Sequence, residues 1–120
     1  MNIGIIGLGR MGKNHLRALS MIRQEHKRQI DDIYVYDINT KEAEELQKLY
    51  QVNCSGSISE LRDAVDAVII CTPTNTHFEI AKFFLDQQKD IFIEKPIAST
   101  VEEAERLCEY IHSSKALCMI

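Results

Sequence analysis

Two kinds of hydrophobic pattern alternate along the chain. Asn2 to Gly7, Asp32 to Asp37, Ala67 to Thr72, Asp90 to Glu94 and Leu117 to Ile120 are short, rich in Ile and Val and nearly continuous in apolarity. Such runs predict strands covered on both faces of a sheet. Val52 to Cys54 reads as a weaker strand. Between them, apolar residues recur at helical spacing: Leu16, Leu19 and Ile22; Ala43, Leu46 and Leu49; Ile80, Ala81 and Phe84; Val101, Ala104, Leu107, Cys108 and Ile111. Each set buries one stripe on the sheet. Helix starts carry a side-chain oxygen followed three residues later by Glu: Asn39 with Glu42, Ser57 with Glu60, Thr76 with Glu79 and Ser99 with Glu102.

Strand, helix, strand repeated in this order gives parallel strands joined by right-handed crossovers. The predicted class is α/β: a doubly wound parallel sheet in three layers, with five or six strands in the order 3-2-1-4-5-6. The motifs described below then fall together at the carboxyl edge, with Gly7, Asp37, Thr72 and Lys95 side by side.

Composition narrows the classes of function. With 45% apolar and 27% charged residues in 120, the chain is expected to form one globular domain and needs no metal or disulfide staple. A balance of 14 Lys and Arg against 18 Asp and Glu, net −4, argues against a nucleic-acid surface. The stretch Glu25 to Asp32 (EHKRQIDD) reads as a solvated helix end and loop. Cys54, Cys71, Cys108 and Cys118 contain no CxxC pair, so they are expected to be reduced, mostly buried thiols, and no metal site is expected. Residues 2–9 are too short for a signal-peptide core, and no apolar run approaches the roughly 20 residues of a membrane span, so the expected compartment is the cytoplasm. The final LCMI looks like a strand just begun, and a complete protein is expected to continue past it.

Four features carry chemistry. Gly7-Leu8-Gly9-Arg10-Met11-Gly12 is a GxGxxG directly after a strand and opening a helix. The backbone must turn tightly at Gly7, approach a pyrophosphate closely at Gly9 and let helix and strand touch at Gly12, while the helix amides hold the phosphates. Asp37 closes the second strand 25 residues beyond Gly12, where a carboxylate accepts hydrogen bonds from an adenosine ribose and repels a 2′-phosphate. This favours NAD; Lys41 nearby leaves NADP possible. In Cys71-Thr72-Pro73-Thr74-Asn75-Thr76-His77 a strand ends in a Pro-interrupted turn at the same edge, offering hydrogen-bonding groups to a ligand. By itself His77 reads more naturally as a surface residue at a helix start, and Cys71 as a small core residue. Glu94-Lys95-Pro96 ends the fifth strand, and an ion pair of Glu94 with Lys95 fits a structural role as well as a chemical one.

The series GxGxxG, TPTxxH and EKP, within phrases such as IIGLGRMGKNHLRAL, DAVIICTPTNTH and IFIEKPIAS, resembles the N-terminal Rossmann domain of the Gfo/Idh/MocA family, named for glucose-fructose oxidoreductase and inositol dehydrogenase. The resemblance runs from Asn2 to Ile120. It implies that residues 1–120 are the dinucleotide-binding half of an NAD(P)-dependent oxidoreductase acting on a sugar, polyol or related hydroxyl compound, followed by an α/β substrate domain. It also implies a homo-oligomer when full length. Gly7, Gly9, Arg10, Met11 and Gly12 would surround the pyrophosphate and Asp37 the adenosine ribose; Thr72, Pro73, Asn75 and His77 would line the cleft. Glu94 and Lys95 would lie beside the nicotinamide ribose, with Lys95 the catalytic residue that reaches the substrate hydroxyl. His15 matches a frequent family position and is assigned packing or phosphate-side polarity. One departure concerns the helix before the fifth strand: the family's usual closing glycine is replaced by Asp86-Gln87-Gln88-Lys89-Asp90.

Two other classes share parts of this pattern. A nucleotide-binding sensor or interaction module would keep the fold without turnover. A methyltransferase also uses a glycine turn and an acid after the second strand, but the complete third glycine and the EKP segment speak against it.

Overall fold

The computed structural model describes residues 1–26 and 29–120. Six parallel strands form one sheet in the order β3-β2-β1-β4-β5-β6, as the alternating pattern predicts. They are β1 (Ile3–Ile6), β2 (Ile33–Tyr36), β3 (Asn53–Cys54), β4 (Ala67–Ile70), β5 (Asp90–Ile93) and β6 (Cys118–Met119). The helices are α1 (Arg10–Glu25), α2 (Thr40–Tyr50), α3 (Ile58–Ala64), α4 (His77–Leu85) and α5 (Val101–Ser113), with a 3-10 turn at Thr74–Thr76. Central β1 pairs with β2 on one side and β4 on the other, Ile3 lying opposite both Ile33 and Ala67.

Side chains alternate across the sheet, so Ile5 and Ile6 enter different layers. Ile5 packs with Leu16, Ile33, Val35, Ala43 and Leu46 beneath α1 and α2. Ile6 packs with Leu61, Ile70, Phe84, Ile93 and Leu107 beneath α3, α4 and α5. Coverage is less symmetrical than the apolar runs imply. In β4 and β5 only Val68, Ile70, Ile91 and Ile93 are buried; Ala67, Ile69 and Phe92, on the α1 side, are half-buried. The physical reason is that, among the described residues, α2 packs on β2 and β3 and α1 on β1, so neither lies squarely over β4 and β5.

Helix ends outrun the sheet. The 16 residues of α1 extend about 24 Å, against about 13 Å for a four-residue strand. Apolar positions in terminal turns therefore lie beyond it, and Ile22, Leu49 and Val101 are exposed rather than buried. Cys108 is exposed too, one position around α5 from buried Leu107, and the other three thiols are half-buried, so the expectation of mostly buried thiols is corrected. All four are free.

The predicted caps form at Asn39 and Ser57, whose oxygens accept the N–H of Glu42 and Glu60. Two others differ. On α5 the cap is Thr100 with Glu103, and Glu103 reaches back to the Ser99 N–H at 3.1 Å. Thr76 does not cap α4, because the preceding 3-10 turn holds it in a helical conformation. The helix before β5 closes without glycine: Gln88 takes φ +54 and the Lys89 N–H donates to the Phe84 carbonyl at 3.2 Å. Of the EHKRQIDD stretch, Lys27 and Arg28 lie outside the described residues.

Candidate dinucleotide-binding site

Hydrogen bonds continue past the strands and hold their carboxyl ends level. The Gly7 N–H donates to Tyr36 O at 3.0 Å, Cys71 N–H to Ile6 O at 2.8 Å and Glu94 N–H to Ile70 O at 3.0 Å. The glycine turn, Asp37, the Thr72 turn and the Glu94-Lys95 segment thus share one edge, on either side of the β1/β4 switch point where such sheets bind ligands.

The glycines have separate tasks. Gly7 has φ +86, and a Cβ there would come 2.7 Å from the Cys71 carbonyl oxygen. At Gly12 a Cβ would overlap the Gly7 carbonyl oxygen, so α1 packs directly on the turn. Gly9 differs: no atom lies within 4 Å of where its Cβ would be. It begins α1 without a side-chain cap, and no acid occupies the first turn. Uncapped amides at the positive end of a helix, beside a residue whose missing side chain leaves open space, fit a pyrophosphate. Arg10 and Met11 are exposed at this end.

Asp37 is already engaged. Its Oδ2 accepts the Leu8 N–H at 2.6 Å and its Oδ1 the Asn39 N–H at 2.7 Å. Lone pairs remain on both oxygens for ribose hydroxyls. Ile38, 91% exposed, follows it into the cleft, an apolar residue in a turn that the sequence reading passed over. Lys13 of α1 pairs with Glu42 of α2 beside this corner, and that carboxylate raises the Lys13 pKa above its usual value.

Gly7, Gly9, Asp37, Ile38, Thr72 and Pro73 contribute to the wall of a cleft of about 580 Å³. Thr76 Oγ1 stands 2.7 Å from both Thr72 Oγ1 and Pro73 O, bracing the turn, and Asn75 is exposed on it. Cys71 also lines the cleft, but burial, assisted by the Glu94 charge, pushes its thiol up to about 12, so it stays protonated at neutral pH. A larger opening of about 720 Å³ lies at the amino edge between the ends of α1 and α2 and contains none of the motif residues.

Two expectations are corrected. His77 does not line the cleft: it is 1% exposed. Its Nε2 lies 2.9 Å from Thr72 O, and Nδ1 lies 3.1 and 3.3 Å from Pro96 O and Ile97 O. Its ring ties the Thr72 turn to the loop after Lys95. Glu94 does not pair with Lys95; its partner is His15 of α1, with Nε2 2.6 Å from Oε1, while Lys95 is exposed. Sequence separations of 19, 20 and 79 residues hid these contacts.

Comparison with known proteins agrees with this geometry. Residues 1–120 match the family described as an oxidoreductase family with an NAD-binding Rossmann fold. The chain belongs to the Gfo/Idh/MocA family. Within it, the glucose-6-phosphate 3-dehydrogenase of Bacillus subtilis (strain 168) is 36% identical over 102 residues, 85% of this chain and 28% of that protein. The myo-inositol 2-dehydrogenase of Thermotoga maritima is 34% identical over 115 residues, 91% of this chain and 32% of that protein. The solved structure of UDP-N-acetylglucosamine 3-dehydrogenase from Acidithiobacillus ferrooxidans superposes with a TM-score of 0.85 at 29% identity, covering 98% of this chain and 38% of that one. The chain therefore spans about a third of the length of these Gfo/Idh/MocA relatives and is the family's NAD-binding domain.

Proposed function

We propose that the protein carrying this chain is an NAD-dependent dehydrogenase of a sugar, polyol or related hydroxyl compound, with a further α/β domain supplying the substrate contacts. The observation that carries the reading is the order of groups along one edge: Asp37, then open Gly9 with the uncapped amides of α1, then Glu94 and Lys95. A dinucleotide laid across the switch point would meet an acid at its adenosine end and a cation at the other.

The Gly7 to Gly12 turn would hold the pyrophosphate through backbone amides, with Arg10 and Met11 flanking it. Asp37 would accept the ribose hydroxyls, and exposed Ile38 would give the adenine an apolar contact. Thr72, Pro73 and Asn75 would form the wall of the cleft. NAD supplies the hydride acceptor. Lys95 would donate a hydrogen bond to the reacting oxygen and stabilise the negative charge that develops as the hydroxyl proton passes to an acceptor supplied by the further domain. Asp37 favours NAD over NADP, and Lys41 is too exposed to neutralise it fully. The free thiols of all four cysteines support a reducing compartment, which we take to be the cytoplasm, and we propose a homo-oligomer for the full-length protein.

The test is NAD reduction by the full-length protein across a panel of polyols and sugars. Lys95→Ala should lower kcat by about 10² or more while NAD affinity stays within a few-fold. Near-normal kcat in that variant would remove Lys95 from the chemistry. NAD binding with no turnover on any member of the panel would favour the sensor reading.

A further inference from the structure

The hydrogen bond between His15 of α1 and Glu94, just past the end of β5, has no part in the reading above. His15 lies one turn beyond the glycine motif, and its Nε2 is 2.6 Å from Glu94 Oε1. The ring meets Phe92 edge-on, with centroids 5.4 Å apart and planes at 64°. Both partners are largely withdrawn from solvent, at 24% and 15% exposure. Phe92 lies on the α1 side of β5, because Ile91 and Ile93 are committed to the opposite layer. An aromatic edge and a carboxylate thus fix the imidazole from two sides.

Unpartnered, a Glu at a strand end samples several rotamers, and each loses freedom on binding a ligand. A short charge-assisted contact removes that freedom beforehand. With Oε1 held by His15, Oε2 is left for a ligand hydroxyl at the carboxyl edge of the sheet. The sheet topology puts the second nucleotide half of a bound dinucleotide over β4 and β5, the half remote from Asp37. Helix α1 then serves the cofactor twice, through its first amides at the pyrophosphate and through His15 behind Glu94.

We propose that His15 is a positioning residue for the nicotinamide-ribose half of the cofactor, acting by orienting the Glu94 carboxylate. The proposal rests on the reading of Glu94 as a contact to that ribose. Calorimetric titration of the full-length protein with NAD and with ADP, which lacks the second ribose and the nicotinamide, separates the two. His15→Leu, which keeps apolar contact with Phe92, should weaken NAD by about tenfold, one charge-assisted hydrogen bond, and leave ADP within about twofold. His15→Gln, which returns an N–H donor near the Nε2 position, should recover most of the loss. In a Glu94→Gln background, His15→Leu should add nothing further.

Equal loss of ADP and NAD in His15→Leu would make the residue merely structural and overturn the proposal. So would His15→Leu and Glu94→Gln effects that simply add. If Glu94→Gln weakens NAD and His15→Leu does not, the proposal falls alone. If Glu94→Gln leaves NAD affinity unchanged, the reading of Glu94 falls and takes the proposal with it.

Discussion

Two glycines three residues apart should fail in opposite ways when each gains one methyl group. At Gly12 the new Cβ would overlap the Gly7 carbonyl oxygen and lie 3.0 Å from the carbonyl carbon behind it. A Cβ has no rotamer with which to escape, so α1 must move away from the end of β1. That shift disturbs Leu16, which is fully buried beneath the same helix. Overpacking of this kind costs about 3 kcal/mol or more. Domains of this size have about 6–18 kcal/mol of total stability, so Gly12→Ala should fold but melt early. With a urea slope of about 2 kcal/mol per molar, the domain's midpoint should drop by about 1.5 M. Gly9→Ala meets no atom within 4 Å, and its backbone is already extended at φ −65, so its midpoint should stay within about 0.3 M of the parent. Its methyl group instead fills the space left for phosphate, and NAD affinity should fall by about tenfold or more. Urea unfolding followed by circular dichroism, with NADH titration by fluorescence, reads both variants. Parental stability in Gly12→Ala, or parental NADH affinity in Gly9→Ala, would refute the division of labour argued from the turn.

Other consequences follow from single contacts. Asp37→Asn should narrow the preference for NAD over NADP and also destabilise the fold by about 1–3 kcal/mol; calorimetry with both cofactors showing an unchanged ratio would count against the ribose role. Gln51 has φ +52 at the end of α2, so Gln51→Gly should stabilise by about 1 kcal/mol. Gln88→Gly should gain less despite its similar φ, because the Gln88 side chain accepts the Lys115 N–H at 3.0 Å; equal gains in thermal melts would mean that bond contributes nothing. Cys71, with its thiol near 12, carries almost no thiolate at pH 8, so iodoacetamide on the native protein should label exposed Cys108 and spare Cys71. Raising the pH to 9 should leave that order intact, and comparable labelling rates would show that the thiol is neither buried nor held neutral.

Strand order and the shared edge were legible because each depends on local signals. Ile- and Val-rich runs fix the strands, their separation by helical stripes requires parallel crossovers, and a GxGxxG between a strand and a helix has few other uses. Contacts across the edge were not legible. His77 sits in a run of Thr and Asn that looks like cleft lining, and only the return of the chain at Pro96 and Ile97 shows that its ring is buried. Glu94 and Lys95 adjoin in sequence, yet consecutive residues beyond a strand point apart, and the nearer base is His15. The cap of α5 was one residue out because Ser99 with Glu102 and Thr100 with Glu103 offer the same spacing in overlapping frames. Exposure of Ile22 and Leu49 follows from how far the helices extend past short strands, which periodicity does not encode.

The carboxylate at the end of β2 has a requirement beyond cofactor selection. Both of its oxygens face backbone N–H groups, Leu8 in the glycine turn and Asn39 at the start of α2, at 2.6 and 2.7 Å. An Asn in its place would keep one acceptor and turn an NH2 group toward the other amide, setting donor against donor. The fold therefore needs an acid at position 37 with no dinucleotide present, and the same two bonds aim that acid at the cleft. Losing it loosens the glycine turn as well as the ribose contact. Pyrophosphate and ribose recognition are coupled through Leu8 in consequence. A variant at Asp37 should weaken even ligands that carry no ribose, such as inorganic pyrophosphate, and the ratio of NAD to NADP affinity isolates the charge effect from that loosening.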